Sequence, residues 1–390
     1  MQKFRIFFGE NDPLFRDAPS HREKLVATDR SNPDCPLNKF IGNELAIKKL
    51  QTVAYNALGH PYHLCRDISF AIFGPPSSGK TTLVKLFAKT INLPLIEFSP
   101  QVKTVDDMIK EIARVLANAD TPLIEYKRKD YFELPPAIIF LDEIHAYSDN
   151  IIQALLKATE HNDAMLVSEK GKTLNCHNVC WMIATTDEGM LFDAFRSRFS
   201  ALNLVSLNCA EIARIIKLAN NNFSKDACEA VAFFNQRVPR KALEFARYTK
   251  MHHDMNPDVE ILDCVFQVAQ NEGIDLQGLS KVHRAVIDAL SVGAVPKNRI
   301  ALVVGRKKEE VERYIMPYLM TETIDNKAYV TVSPKGYILT DAGKQLHSDY
   351  QKMLQNNLSY LEAFKKQRSS IFNCELSSSK VKEELANSKK

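Results

Sequence analysis

Short apolar runs recur along the first half of the chain: Phe70-Ala71-Ile72-Phe73, Leu95-Ile96-Glu97-Phe98, Ala137-Ile138-Ile139-Phe140-Leu141, Val179-Cys180-Trp181-Met182-Ile183-Ala184 and Leu202-Asn203-Leu204-Val205. Runs that are short and nearly continuous read as strands buried on both faces. Between them the apolar spacing is helical, through Ala46, Leu50, Val53 and Ala57, then Thr82 to Ala88, then Val105 to Leu116. Five strands alternating with helices predict an α/β fold built on a doubly wound parallel sheet. The stretch Ala164 to Cys176 alternates, turns at Glu169-Lys170-Gly171-Lys172 and alternates again, which predicts a hairpin arm with Met165, Leu166 and Val167 exposed or half exposed.

After residue 205 the rhythm changes. Ala210 to about Gln270 is purely helical, broken at Arg237-Val238-Pro239-Arg240, and predicts a small all-α lid. Val282, Val286 and Leu290 mark a further helix, Ile300 to Val304 a short one, and Val311, Ile315 and Leu319 a third that opens on Arg306-Lys307-Lys308. Two alternating runs follow, Ala328 to Val332 and Tyr337 to Thr340, joined at Ser333-Pro334-Lys335-Gly336. Three helices and a β-ribbon describe a winged helix, a module that binds DNA and also serves protein contacts. The expected organisation is an irregular leader at 1–36, a core at 37–205, the lid at 206–276, the winged helix at 277–348, and a C-terminal helix with a flexible basic tail at 349–390.

A chain of 390 residues is long enough for several domains, and with 25% charged residues it has the composition of a soluble globular protein. No apolar run approaches the roughly 20 residues of a membrane span. The start of the chain is broken by Gly9, Glu10, Asn11 and Asp12, so no secretory signal is expected and the chain is placed in the cytoplasm. Its eight cysteines are scattered among apolar positions as reduced core residues, and Cys176, His177 and Cys180 lack the second ligand pair of a zinc site. The net charge of +4 is accounted for by the segment from Lys365 onward, where seven Lys/Arg stand against three Glu. A nucleic-acid interface must therefore rest on local patches.

Chemistry enters at Gly74, Pro75, Pro76, Ser77, Ser78, Gly79, Lys80 and Thr81, between a predicted strand and a predicted helix. That order is the phosphate-binding loop of nucleoside triphosphatases: glycines let backbone N–H groups turn around the phosphates, and the helix N-terminus faces the same charge. Lys80 is expected on the β- and γ-phosphates of ATP and the Thr81 hydroxyl on magnesium, with Thr82 in the same turn and Ile41 packing beside the nucleotide. Asp142 and Glu143 close the strand Ala137–Leu141; the first suits a hard cation such as Mg2+, the second a general base for water. Thr185 and Thr186 end the next strand, where hydroxyls would lie beside the γ-phosphate.

The segments GPPSSGKTT, FLDEIH, IATT, FRSRF and VPRKA, in this order, resemble AAA+ ATPases, and with the C-terminal third resemble the RuvB family of bacterial branch-migration motors over about residues 38–347. The resemblance implies Lys80 and Thr81 as the Walker A pair, Asp142 and Glu143 as the Walker B pair, and Thr186 as the γ-phosphate sensor. It makes Arg198 an arginine finger acting on the neighbouring subunit, with Arg196 close enough to exchange roles, and Arg240 a lid sensor that binds nucleotide in cis. It implies a homo-oligomeric ring, most often a hexamer, acting on duplex or four-way-junction DNA, and a RuvA-like junction-binding partner docked through the hairpin at 164–176. The family's wing tip reads Arg-Gly-Arg where this chain has Lys335-Gly336-Tyr337, and the hairpin is shorter.

The expected DNA contacts are Arg306, Lys307, Lys308, Lys335 and Tyr337. Residues 281–347 hold eleven Lys/Arg and seven Asp/Glu with no evident base-reading set, so binding is expected to be backbone-directed. The expected function is ATP-driven translocation along duplex DNA and Holliday-junction branch migration. A clamp-loader-like switch and a protein remodeller gripping its target through the winged helix are the alternatives.

Overall fold

The computed structural model describes residues 32, 34–58, 69–118, 124–125, 131–160, 164–191, 193–235, 238–320, 327–369 and 371–372. The leader expected at 1–36 lies almost wholly outside them. The chain divides into two compact units, Met1–Val205 and Ser206–Lys390.

The first unit opens with helix α1 (Glu44–Ala57), which buries Ala46, Ile47, Leu50, Val53, Ala54 and Ala57 along one stripe. Strand β1 (Phe70–Phe73) leads through the glycine-bearing loop into α2 (Lys80–Ile91), and β2 (Leu95–Phe98) into α3 (Val105–Asn118). A small hairpin, β3 (Ile124–Glu125) and β4 (Tyr131–Glu133), precedes β5 (Ala137–Leu141) and α4 (Asp149–Ala158). A second hairpin, β6 (Met165–Val167) and β7 (Thr173–Asn175), precedes β8 (Val179–Thr185), the short helix α5 (Asp193–Arg196) and β9 (Ser200–Asn203).

Five of these strands form one parallel sheet in the order β2-β5-β8-β1-β9. Alternate residues of the apolar runs serve opposite faces. Phe70, Ile72, Ile138, Phe140, Cys180 and Met182 pack with α1 and α2, whereas Ala71, Phe73, Ile139, Leu141, Trp181 and Ile183 pack with α3 and α4. Burial on both faces is why β1, β5 and β8 carry no polar alternation, whereas the edge strands β2 and β9 expose Glu97 and Asn203. Because β1 lies between β8 and β9, the carboxyl ends of β1, β5 and β8 converge where open α/β sheets hold ligands.

The hairpin at 164–176 forms, but not as a free arm. β7 pairs parallel with β4, so the two hairpins merge into a four-stranded sheet of order β3-β4-β7-β6. Leu166 is fully buried against Leu174 and Cys176, while Val167 on the other face is 43% exposed. An exposed docking role for Leu166 is thereby excluded. Cys176 and Cys180 also separate: they belong to clusters on opposite faces of the main sheet, and burial pushes the Cys176 thiol up to about 12.

The second unit continues with α6 (Cys209–Ala219), α7 (Lys225–Phe234), α8 (Pro239–Met255) and α9 (Ile261–Asn271), the expected lid. Asn208 and Glu211 form a capping box on α6, and Pro239 sits at the first position of α8, where its missing N–H costs nothing. The winged helix follows as α10 (Lys281–Ser291), α11 (Lys297–Val304), α12 (residues 308–320), β10 (Val330–Ser333), β11 (Gly336–Leu339) and α13 (Asp341–Gln355). Helix α12 is not regular. Its middle, Val311–Ile315, is a π-helix closed by the N–H of Met316 on the carbonyl of Val311. Pro317 supplies no N–H one residue later, so the ladder widens just upstream of it.

The segment from Lys365, expected as a free tail, begins as the end of a last helix, α14 (residues 360–369). Phe364, Ile371 and Phe372 are buried in the same core as Phe233 and Phe266, and the Arg368 guanidinium meets Asp226 at 2.7 Å and Glu229 at 2.5 Å. The remaining basic residues, 380–390, lie outside the described residues. Among the described residues no helix is long and apolar enough to cross a membrane.

Candidate active site

The loop after β1 is shaped by two glycines for two reasons. A Cβ on Gly74 would lie 2.9 Å from the Leu204 carbonyl oxygen and 3.0 Å from the Ser78 hydroxyl. Gly79 sits at φ +93°, and a Cβ there would meet the Phe40 ring at 3.0 Å. Phe40 is thus the wall of the loop, and Asn43 fixes that wall: its side chain accepts from the Val205 N–H at 2.7 Å and donates to the Val205 carbonyl. Ile41 is buried between these two anchors. Ser77 is also left-handed, at φ +62°, so successive residues of the loop alternate in hand as a nest of N–H groups requires. The Leu83 N–H donates to the Gly79 carbonyl at 2.8 Å, so α2 begins at the loop and directs its N-terminus towards it.

Lys80 is buried on the first turn of α2, with Nζ donating to the carbonyls of Gly74 at 3.0 Å and Pro75 at 3.2 Å. Its charge therefore lies within the loop rather than in solvent. The Thr81 hydroxyl donates to Oδ2 of Asp142 at 2.8 Å, bringing together two hard oxygen donors suited to magnesium. A cradle that glycine alone permits, a lysine inside it and a hydroxyl–carboxylate pair at its edge fit a metal–nucleoside triphosphate.

Glu143, next in sequence, sits at φ +50°, a conformation that costs a non-glycine residue energy and turns its carboxylate away from the strand direction. Its Oε2 accepts from both the N–H and the hydroxyl of Thr186, each at 3.2 Å. His145 joins the group: Nδ1 lies 2.8 Å from the Thr185 hydroxyl and 3.4 Å from Glu143 Oε2. Thr185 is buried and held by Asp187, whose N–H it accepts at 3.0 Å. The two threonines that look equivalent in sequence thus divide, Thr185 supporting His145 and Thr186 facing Glu143. Burial, with Asp142 as a second cause, pushes the Tyr147 phenol well up, so a neutral hydroxyl stands beside the acidic strand end.

The arginines part company. Arg196 pairs with Glu188 and lies over the Phe73 ring at 5.7 Å, next to the start of its own phosphate loop. Arg198 follows a turn anchored by the buried Phe195, donates to the Leu156 carbonyl at the end of α4 and stands 3.5 Å from Glu160. Its side chain remains 27% exposed. Arg240 is exposed on the first turn of α8 in the second unit, with no acidic partner among the described residues.

Of the expected DNA contacts, Lys307, Lys308 and Lys335 are exposed and have no carboxylate within ion-pair distance among the described residues, while Arg306 pairs with Glu310 at 3.4 Å. Tyr337 corrects the expectation. It is 5% exposed, part of the domain core, and its phenol is pushed up by burial and then by Glu312. The next residue after a wing glycine faces inward because β11 alternates and its Tyr337 side packs on the helices.

His145, Phe40 and Asn43 were not singled out from the sequence. The first was visible within FLDEIH as a polar residue following two acids; the other two act through packing and loop hydrogen bonds that no local pattern encodes.

Residues 70–207 match the family model described as "ATPase family associated with various cellular activities (AAA)". The chain is 26% identical over 367 residues to the Holliday junction branch migration complex subunit RuvB of Leuconostoc mesenteroides, covering 88% of this chain and 95% of the relative. Among solved structures it resembles Thermotoga maritima RuvB, titled a Holliday junction branch migration motor, at a TM-score of 0.60 and 22% identity, covering 83% of this chain and 99% of that one. A point variant of the same Thermotoga protein gives 0.59 at 22%, over 84% and 99%. At such identities the structural likeness is one of fold.

Proposed function

We propose that this chain, an AAA-type ATPase homologous to RuvB along most of its length, is a DNA motor that hydrolyses ATP within a ring of copies and drives branch migration of four-way junctions. The reading is supported by a glycine-shaped cradle with Lys80, Thr81 and Asp142 and a three-helix module with a β-ribbon on one chain, in an order that a single likeness to RuvB covers over 88% of the chain.

In this reading Gly74 to Thr82 cradle the phosphates of ATP, with Lys80 compensating charge on the β- and γ-phosphates. Thr81 and Asp142 would hold Mg2+, which supplies further charge neutralisation when bound. Glu143 takes the proton of the attacking water, and Thr186 aligns Glu143 with the γ-phosphate through its 3.2 Å contacts. Arg198 reaches the ATP of the adjacent copy, because a positive charge beside the equatorial oxygens can contribute ~10³–10⁵ in rate. Arg196, committed to Glu188 and Phe73, is the less suited of the two to act in trans. The winged helix holds the duplex backbone. A RuvA-like partner would meet the small sheet at Val167, an exposed apolar position.

The test is branch migration itself. A synthetic four-way junction, labelled on one strand, is incubated with the full chain, ATP and magnesium, with and without a RuvA-type protein. Conversion to duplex products that requires hydrolysable ATP and disappears in Lys80→Ala supports the reading. Sustained ATP turnover with no product under either condition contradicts it.

A further inference from the structure

The wing is a two-stranded ribbon whose free edge is held by one backbone bridge. β10 and β11 are joined by Pro334 and Lys335, with Ser333 opposite Gly336 and the Ser333 hydroxyl donating to the Gly336 carbonyl at 2.9 Å. On the other side of β11, Tyr337 exchanges both backbone hydrogen bonds with Val295, each 2.9 Å. Gly336 makes this approach possible. It sits at φ +123°, and a Cβ there would lie 2.2 Å from the Val295 carbonyl oxygen. The segment before α11 is therefore fastened to the wing with no slack, and Lys297, two residues past Val295, starts α11 at a fixed place beside it.

Lys297 uses that position. Its Nζ stands over the Tyr337 ring, 5.7 Å from the centroid, so the buried tyrosine presents a face on which an exposed ammonium rests. Lys335 is two residues from Tyr337 along the chain, roughly 7 Å of strand. Both lysines are exposed and lack a carboxylate partner among the described residues. Three other cations of the same domain are neutralised locally, Arg306 by Glu310 at 3.4 Å, Lys344 by Asp341 at 3.1 Å and Lys352 by Asp349 at 3.9 Å, while Lys307 and Lys308 share the unpaired state of the two lysines. An unpaired cation held on a rigid surface meets a phosphate without first giving up a partner.

We infer that Lys297 and Lys335 form one phosphate-binding pair on the wing, with Tyr337 as the buried platform that positions Lys297, and that the ligand is the phosphodiester backbone of duplex DNA. This rests on the DNA-motor reading above. The tyrosine in place of a charged wing residue does not remove a cation from this face; the charge is delivered from the start of α11 instead. A charge placed on a phosphate contributes equally for every sequence.

The experiment is binding of the full chain to two unrelated duplexes by fluorescence anisotropy across a salt series. Lys297→Met keeps the stem on the ring and removes the charge. It is expected to lower the slope of log K against log salt by about 0.9, to weaken binding about eightfold at 0.1 M salt, and to do so equally on both duplexes. Lys297→Arg should restore both slope and affinity, and Lys344→Met, whose charge is already paired, should leave them unchanged. If wild type binds DNA and Lys297→Met binds with unaltered slope, the pair is refuted while the motor reading stands. If wild type binds neither duplex at any salt, both fall.

Discussion

The Thr81 hydroxyl and the Asp142 carboxylate meet at 2.8 Å across 61 residues of sequence, joining the first turn of α2 to the end of β5. That contact sets the edge of the phosphate cradle to within a hydrogen bond before any cation is considered. Asp142→Asn should therefore leave binding of metal-free ATP close to wild type and abolish most of the tightening that magnesium gives. Titration of a fluorescent ATP analogue with and without magnesium reads this directly. An unchanged magnesium effect would remove Asp142 from the metal site.

His145 is placed to hold Glu143 and the sensor turn in one arrangement, through 2.8 Å to Thr185 and 3.4 Å to Glu143. Loss of one such hydrogen bond is worth about 1 to 1.5 kcal/mol, so His145→Ala should lower kcat about tenfold. KM for ATP should stay within about twofold, since the phosphate loop is untouched. Glu143→Gln, which removes the proposed base, should cost ~10²–10⁴. A His145 variant that raised KM and spared kcat would assign the residue to binding instead.

Arg198 is proposed to act across a subunit boundary and Glu143 within its own chain. Arg198→Ala and Glu143→Gln proteins should each be nearly inactive alone, yet mixed rings contain some interfaces with both groups intact. ATP turnover should thus recover partially on mixing, peaking near equal proportions. No recovery at any ratio would place Arg198 in cis or outside the reaction.

The nucleotide fold was legible because its signals are local. Apolar runs such as Ala137–Leu141 are buried on both faces and need no partner information to be recognised, and Gly74 and Gly79 mark backbone that side chains would block. What was not legible depended on distant pairing. β3 and β4 are two and three residues long, too short for a period, and acquire their meaning from the bond to β7. Leu166 and Tyr337 each sit in an alternating run whose inner face is assigned only by its packing partners, β7 and its sheet for Leu166 and the helices of the second unit for Tyr337. Arg368 reads as one more basic tail residue until Asp226 and Glu229, on α7, are seen beside it.

The second unit carries a pH-sensitive element in its core. His283 is buried, and the Ser280 hydroxyl, which caps α10 by accepting the His283 N–H, lies 2.6 Å from Nδ1, as it would when donating to a neutral ring. Burial, aided by Lys241, lowers the His283 pKa from 6.5 to about 4. Between those values the unfolded chain binds a proton that the folded one refuses, so this contribution is present above pH 6.5 and is lost as pH falls towards 4. On going from pH 7 to 4.5, wild type should lose roughly 2 to 3 kcal/mol more urea stability than His283→Gln. Equal losses would show that His283 does not titrate in this way.

The most direct test of the account is the ATP turnover of the full chain with a four-way junction, with linear duplex and with no DNA, each at low and high salt. A motor that grips the backbone is predicted to turn over faster with either DNA than without, and to lose that stimulation steeply as salt rises. Turnover that is the same in all three conditions at both salts would contradict a DNA motor.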